Sequence, residues 1–172
     1  DNAMEISEAA QKAQDVVRQI SSMSRKNVET VYDAVPVESL IDHTCKLVET
    51  NCPRQVELKQ ELELNGENVL GNSTQLQQVL LNICINGIHA IGDREGTLNL
   101  HADMVSRSEA LLRFPDEKIP QVWSSFVRIR ITDTGSGMDK ETLQHIFEPF
   151  LTTKKAGDGT GLGLALAEQI IR

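Results

Sequence analysis

Residues 127–138 read Val127-Arg128-Ile129-Arg130-Ile131-Thr132-Asp133-Thr134-Gly135-Ser136-Gly137-Met138, an apolar/polar alternation that runs straight into a glycine turn. Period-two alternation predicts a half-buried strand. Val127, Ile129, Ile131 and Asp133 share one parity, so the buried face of the strand ends in a carboxylate. An ionised carboxylate in that place needs a donor. The exocyclic amine of adenine is one, whereas the carbonyl that guanine carries there would be rejected. Gly135 and Gly137 remove side chains where a flat base would approach the backbone. The competing reading is a plain Asp-Gly turn that caps a strand.

Upstream, Asn72-Ser73-Thr74-Gln75 predicts a helix start, with Asn72 as N-cap and Gln75 placed to close the box. The helix runs to about Ile91. Leu76, Val79, Leu80, Ile83 and Ile88 give it a nearly all-round apolar surface, which predicts a buried helix. Asn82 and Asn86 stand out there, because asparagine is a poor helix former and a buried carboxamide is costly unless paired. Four residues apart, they share a face. They either tie down a neighbouring loop or offer neutral oxygen to magnesium, which takes few protein ligands and completes its shell with water and phosphate. His89 follows within a turn of Asn86 and is placed to reach a phosphate or to serve as a polar rim residue.

Downstream, Phe147 and Phe150 bracket Glu148-Pro149 and lead into Leu151-Thr152-Thr153-Lys154-Lys155. Two of only four phenylalanines fall here, and ordinary core aromatics would account for them equally. The glycine-rich run to Gly159-Thr160-Gly161-Leu162-Gly163-Leu164 then opens a new helix. Backbone amides at such a start bind anions, and a lysine-bearing segment can fold over them. The spacing is neither GxxxxGK[ST] nor a GxGxxG after a strand, so a phosphate-binding fold of another kind is required.

The remaining chain supplies context. Asp1-Asn2-Ala3 ahead of Met4 reads as a cloning remnant, residues 1–3. Within residues 4–27, Ile6, Ala13 and Ile20 recur at sevens, as do Ala9, Val16 and Met23, which makes an a/d seam. An amphipathic helix packed on its own domain and the tail of a dimerising bundle helix fit that seam equally. Residues 28–36 read as a linker ending at Pro36, and residues 37–172 as one globular domain. Glu38 to Thr50 has helical spacing; Val56, Leu58, Leu62 and Leu64 alternate as a strand, as do Leu98, Leu100, Ala102 and Met104. Ser106 to Trp123, with Pro115 and Pro120, reads as a surface insertion in a hairpin.

Bulk composition narrows the classes. A chain of 172 residues, 40% hydrophobic and 24% charged, suits one soluble domain with a substantial core. A net charge of −8 argues against non-specific nucleic-acid binding, so a polyphosphate ligand must be held locally. The sequence offers no membrane span or signal peptide, which predicts no membrane contact by this segment and a cytoplasmic setting. Cys45, Cys52 and Cys84 lack CxxC spacing and read as reduced thiols.

Taken in order, the clusters at Asn82 to Asn86, Asp133 to Met138, Phe147 to Phe150 and Gly159 to Leu164 closely resemble the N, G1, F and G2 boxes of the GHKL ATPase superfamily. Within it, Gln77-Gln78-Val79-Leu80-Leu81-Asn82-Ile83-Cys84-Ile85-Asn86 and Ile146-Phe147-Glu148-Pro149-Phe150-Leu151-Thr152-Thr153-Lys154 resemble a sensor histidine kinase of two-component signalling. The resemblance covers residues 12–172. It implies an α/β two-layer sandwich, the Bergerat fold, with a mixed sheet backed by helices and preceded by a helical segment. It implies ATP and Mg2+ as cofactors, with Asn86 as the metal ligand and Asn82 its helper. Asp133 would accept from the adenine amine, beside Gly135, Gly137 and Met138. Phe147 and Phe150 would anchor a lid, His89, Thr153 and Lys154 would approach phosphate, and Gly159, Thr160, Gly161, Leu162, Gly163 and Leu164 would shape the phosphate-facing turn.

By the same resemblance, residues 4–27 are the end of the dimerisation helix. The partners are then the dimerisation and phosphoacceptor domain of the same kinase, a response regulator receiver domain and, in the full-length protein, a second copy. None of His43, His89, His101 or His145 is followed by an acidic residue as the family's phosphoacceptor is, so this chain is not expected to autophosphorylate alone. Relatives continue past the position of Arg172 with further strands, which makes the domain C-terminally truncated by comparison. Asn72 stands where they usually have Asp, nearly neutral for a cap. A hydrolase of the superfamily, or a module that binds nucleotide without transfer, is the alternative. The hydrolase would carry a glutamate where this chain has Asn82, which cannot act as a base.

Overall fold

The computed structural model describes residues 31–115, 120–153 and 159–172. The expected dimerisation-helix tail at residues 4–27 and the candidate phosphate lysine, Lys154, lie outside these residues. The described residues divide into two compact units, Tyr32–Gly137 and a second that includes Met138–Arg172.

The first unit holds β1 (Asp33–Pro36), α1 (Val37–Asn51), β2 (Val56–Glu63), β3 (Asn68–Gly71), α2 (Ser73–Ile91), β4 (Gly96–Ser106), α3 (Arg107–Arg113) and β5 (Ser125–Asp133). β1 and β3 form an antiparallel pair, while β2, β4 and β5 form a mixed sheet in that order, parallel across β2 and β4 and antiparallel across β4 and β5. A parallel pair needs a long crossover, and the β3–α2 segment supplies it. This is the mixed sheet backed by helices that the sequence implied.

The core lies between the sheet and α1 and α2. Ile41 of α1, Ile91 of α2 and Leu98 and Leu100 of β4 are almost wholly buried, and Val35, Val37, Cys45, Val48, Leu80, Cys84 and Ala102 pack around them. Each fully buried aliphatic side chain stabilises by roughly 1.5–3 kcal/mol over the exposed state. On β4 the buried Leu98, Leu100 and Ala102 alternate with Asn99, His101 and Asp103, as a sheet with one covered face requires. Arg128 of β5 forms a two-pronged pair with Asp103, its Nε donating to Oδ1 at 2.8 Å and its Nη2 contacting Oδ2.

Three expectations change. Residues 33–36, read as the end of a linker, form a strand in which Val35 is buried and lies in register with Val69. Pro36 tolerates this place because it ends the strand and leads into α1, where a missing N–H costs nothing. Helix α2, read as buried all round, buries one stripe, Leu80, Cys84, Gly87 and Ile91, with Val79 beside it; Ile85 is 45% exposed. The insertion after β4 contains a helix of its own, α3, whose Ser106 and Glu109 form a full capping box.

The second unit contains α4 (Lys140–His145) and α5 (Gly163–Ile171). Asp139 caps α4, its carboxylate accepting from Thr142 N–H at 2.7 Å, and that bond holds its acid below the usual carboxylate range. Helix α5 buries Ala165, Leu166 and Ala167, with Leu162 at its N-cap also buried.

Candidate functional site

Helix α2 starts as read: Asn72 Oδ1 accepts from Gln75 N–H at 3.0 Å. An asparagine cap is worth about 1 kcal/mol over alanine, and here it fixes where the helix turns begin. Asn82 and Asn86 are half-buried and His89 is exposed. With a 3.6-residue turn these three fall on the side of α2 turned away from the Leu80, Cys84, Gly87 and Ile91 stripe. The asparagines are therefore not the fully buried carboxamides the sequence suggested, because the sheet covers only one face of the helix. Half-buried amide oxygens at the domain surface suit a hydrated cation better than a dry core would.

Asp133 ends β5 opposite Leu98 of β4. It follows Val127, Ile129 and Ile131 on their face of the strand, but it is exposed, since the apolar packing stops before it. Its Oδ1 accepts the Gly135 N–H at 2.8 Å, which orients the carboxylate and leaves Oδ2 to accept from an incoming amine. The turn after it is tied on two sides. Thr134 N–H donates to Thr97 O at 3.1 Å and Thr134 Oγ1 accepts from Thr97 N–H at 2.9 Å. Ser136 N–H donates to Ala90 O at 3.0 Å, which joins the turn to the last turn of α2. Arg94 also reaches back to that end of the helix, its Nε donating to Ile91 O at 3.3 Å.

Two glycines explain how the turn comes so close. A Cβ on Gly135 would lie 2.6 Å from the Ala90 carbonyl carbon and 2.6 Å from Asp133 Oδ1, so the turn backbone lies directly on the helix. Gly137 differs: it has φ +69° and nothing within 4 Å of a Cβ, so its need is conformational. Met138, next in the chain, is 57% exposed.

The sequence reading missed Gly87 and Gly96. A Cβ on Gly87 would meet Leu98 Cδ1 at 2.7 Å and Asp133 Cβ at 3.3 Å, so the bare Cα lets Asp133 settle against α2. A Cβ on Gly96 would lie 2.7 Å from Thr134 Oγ1. Gly87 had a signal, since glycine inside a helix costs about 1 kcal/mol against alanine and asks for a packing reason.

In the second unit Phe147 and Phe150 are 46% and 67% exposed. Thr153 is exposed, and Gly159 and Thr160 are half-buried. Gly161 has φ +65°, and the Phe150 N–H donates to its carbonyl at 2.9 Å. Leu162 N–H donates to Thr160 Oγ1 at 3.3 Å, and no side chain caps the start of α5 at Gly163 and Leu164. The first turn of a helix presents backbone N–H groups and the positive end of the helix dipole, which favour anions.

A carboxylate fixed at the end of a strand, a glycine turn laid on an asparagine-bearing helix and a glycine-led helix start are the parts of a nucleotide-binding ATPase domain. The family of histidine kinase-, DNA gyrase B- and HSP90-like ATPases matches residues 71–172, and the chain belongs to it. Within that family the likeness is to sensor histidine kinases. Sensor histidine kinase ZraS of Salmonella typhi is 32% identical over 147 residues, which cover 85% of this chain and 27% of that protein. The sensory histidine kinase/phosphatase NtrB of Rhizobium leguminosarum bv. phaseoli is 33% identical over 138 residues, 80% of this chain and 34% of that protein. The chain thus spans about a third or less of these relatives' length. Among solved structures, the nucleotide-free catalytic domain of histidine kinase ThkA aligns with a TM-score of 0.62 at 26% identity, covering 81% of this chain and 79% of that one. No helix among the described residues is long and apolar enough to cross a membrane.

Proposed function

We propose that this chain is the ATP-binding catalytic domain of a sensor histidine protein kinase. In this reading it presents the γ-phosphoryl of ATP to a histidine on a dimerisation helix, for onward transfer to an aspartate of a response regulator receiver domain. The observation that carries the reading is Asp133. Its Oδ1 is engaged by Gly135 N–H, the backbone turn is laid on α2, and its second oxygen matches the hydrogen-bond pattern of adenine and opposes that of guanine.

In this reading Gly135, Gly137 and Met138 flank the base. Asn86 would hold magnesium with Asn82 as its helper, since a half-buried amide oxygen suits an ion that keeps most of its water and phosphate ligands. Bound magnesium would neutralise phosphate charge. His89, Thr153 and Lys154 serve the phosphates, Phe147 and Phe150 anchor the segment between them and α5, and Gly159, Thr160, Gly161, Leu162, Gly163 and Leu164 offer backbone amides. Catalysis then rests on positioning and charge stabilisation, with no general base supplied by this chain. Asn82 favours this over the water-activating hydrolases of the family, since a carboxamide cannot take a proton from water.

The partners in this reading are the phosphoacceptor domain of the same kinase, a receiver domain and a second copy of the full protein, in the cytoplasm. Calorimetric titration with ADP and with GDP, each with and without magnesium, tests the site. Saturable ADP binding that strengthens with magnesium, no GDP response, and weakening by Asp133→Asn and Asn86→Asp are expected. Equal affinity for GDP would overturn the adenine assignment. Mixing the chain with ATP and a dimerisation domain carrying its histidine tests transfer, and absence of acid-labile phosphohistidine despite ATP binding would leave a nucleotide-binding module.

A further inference from the structure

Phe150 has φ +69°, the one left-handed non-glycine residue among the described residues. An aromatic residue gains nothing locally from that conformation, and at 67% exposure the ring is not held there by burial. The backbone around it gives the reason. Phe150 N–H donates to Gly161 O at 2.9 Å. Gly161, itself at φ +65°, approaches so closely that a Cβ on it would fall 2.5 Å from the Phe150 carbonyl carbon, 2.7 Å from its Cα and 2.7 Å from Leu151 O.

The chain is braced on both sides of this crossing. Before it, Glu148 N–H donates to His145 O at 2.9 Å, Glu148 Oε1 lies 2.6 Å from His145 Nδ1, and Leu151 N–H donates to Glu148 O at 3.3 Å. After it, Thr160 Oγ1 accepts from Leu162 N–H at 3.3 Å, directly ahead of α5.

We propose that Phe150 and Gly161 form a backbone clasp that sets the start of α5 against the aromatic turn, and that Phe150 is a positioning residue acting through its main-chain conformation. The inference rests on the nucleotide reading above and refines it. The ring is then secondary, and Gly161 serves the clasp before it serves any phosphate. Strain at Phe150 is sustained because the two main chains cannot otherwise come this close.

The test compares Phe150→Gly and Phe150→Asn, which tolerate a left-handed backbone, with Phe150→Val, which does not, and with Gly161→Ala, whose Cβ would strike backbone. Two readouts are taken on the whole chain: hydrogen exchange of the amide at position 150 by NMR, and Mg-ADP affinity by calorimetry. The amide at 150 is expected to be protected in the parent, Phe150→Gly and Phe150→Asn, and to exchange freely in Phe150→Val and Gly161→Ala. Phe150→Gly and Phe150→Asn should bind at least about fivefold more tightly than Phe150→Val, the low end of the range for a left-handed β-branched residue. Free exchange at position 150 in the parent, or equal affinity of the three Phe150 variants, overturns the proposal. Should the parent bind no nucleotide, the functional reading fails while the amide exchange still decides whether the clasp exists.

Discussion

Gly135→Ala has the most fully determined outcome. Its methyl group would sit 2.6 Å from the Ala90 carbonyl carbon, 2.6 Å from Ala90 Cβ and 2.6 Å from Asp133 Oδ1. A helix backbone cannot swing aside like the tip of a side chain, so the turn must lift from α2. Overpacking of this kind costs about 1–3 kcal/mol. Lifting also weakens the Ser136 N–H bond to Ala90 O and the bond from Gly135 N–H to the Asp133 carboxylate, worth about 1 and about 2 kcal/mol. Partial relaxation leaves a net loss of roughly 3 kcal/mol; with about 1 kcal/mol of it taken from folding stability, about 2 kcal/mol remain, or roughly thirtyfold in ADP affinity. The core is untouched, so the thermal midpoint should fall by only a few degrees, about what 1 kcal/mol of it would cause in a chain of this size. Gly137→Ala is the control. With φ +69° and open space around a Cβ it suffers conformational strain alone, about 1–2 kcal/mol, and should lose about tenfold. Calorimetric titration with Mg-ADP, with thermal unfolding in parallel, separates the two. Equal losses at both positions, or a larger loss at Gly137, would refute the idea that close backbone approach to α2 is what Gly135 provides.

The three thiols should label in a fixed order. Cys52 is half-buried, whereas burial pushes the acids of Cys45 and Cys84 up to about 11 and about 12, so at neutral pH a thiol reagent should modify Cys52 alone until unfolding exposes the others; early reaction of Cys84 in a folded sample would contradict the packing of α1 on α2. Asn72→Ala should lower stability by about 1 kcal/mol in urea titration without changing the m-value, and no change would mean that the cap does not form. The Arg128 guanidinium holds the Asp103 carboxyl below its usual range. A depressed folded-state pKa gives stability that is present above the unfolded carboxylate pKa and lost as pH falls through the folded one, so Arg128→Gln should flatten the acid limb of the pH–stability curve below about pH 4. An unchanged acid limb would show that the pair does not matter to folding.

What the sequence disclosed and what it concealed follow the range of each interaction. The Asn72 cap is settled within four residues, and the parity that puts Asp133 in line with Ile131 is a property of one strand. Both were legible. The role of Gly87 was not, because it depends on Leu98 and Asp133 arriving from two other strands. β1 escaped for a similar reason: Val35 gains its strand only by pairing with Val69, and a short run beside a proline carries no local period. The error over α2 was one of surroundings. Apolar residues encircle it in sequence, but the sheet covers one side, and that leaves Asn82 and Asn86 half-buried.

The insertion between β4 and β5 is closed at its base, where Arg107 N–H donates to Ser124 O at 2.9 Å beside the paired Ser106 and Ser125. From Ser125 to Asp133 is eight steps along β5, roughly 26 Å at strand rise. A sealed base at that remove separates the loop from the Asp133 end of the sheet. A change of length or composition there is therefore expected to leave the Asp133 turn in place, and for the experimenter it is the place to splice in a fluorescent reporter or an affinity tag, or to open new chain termini.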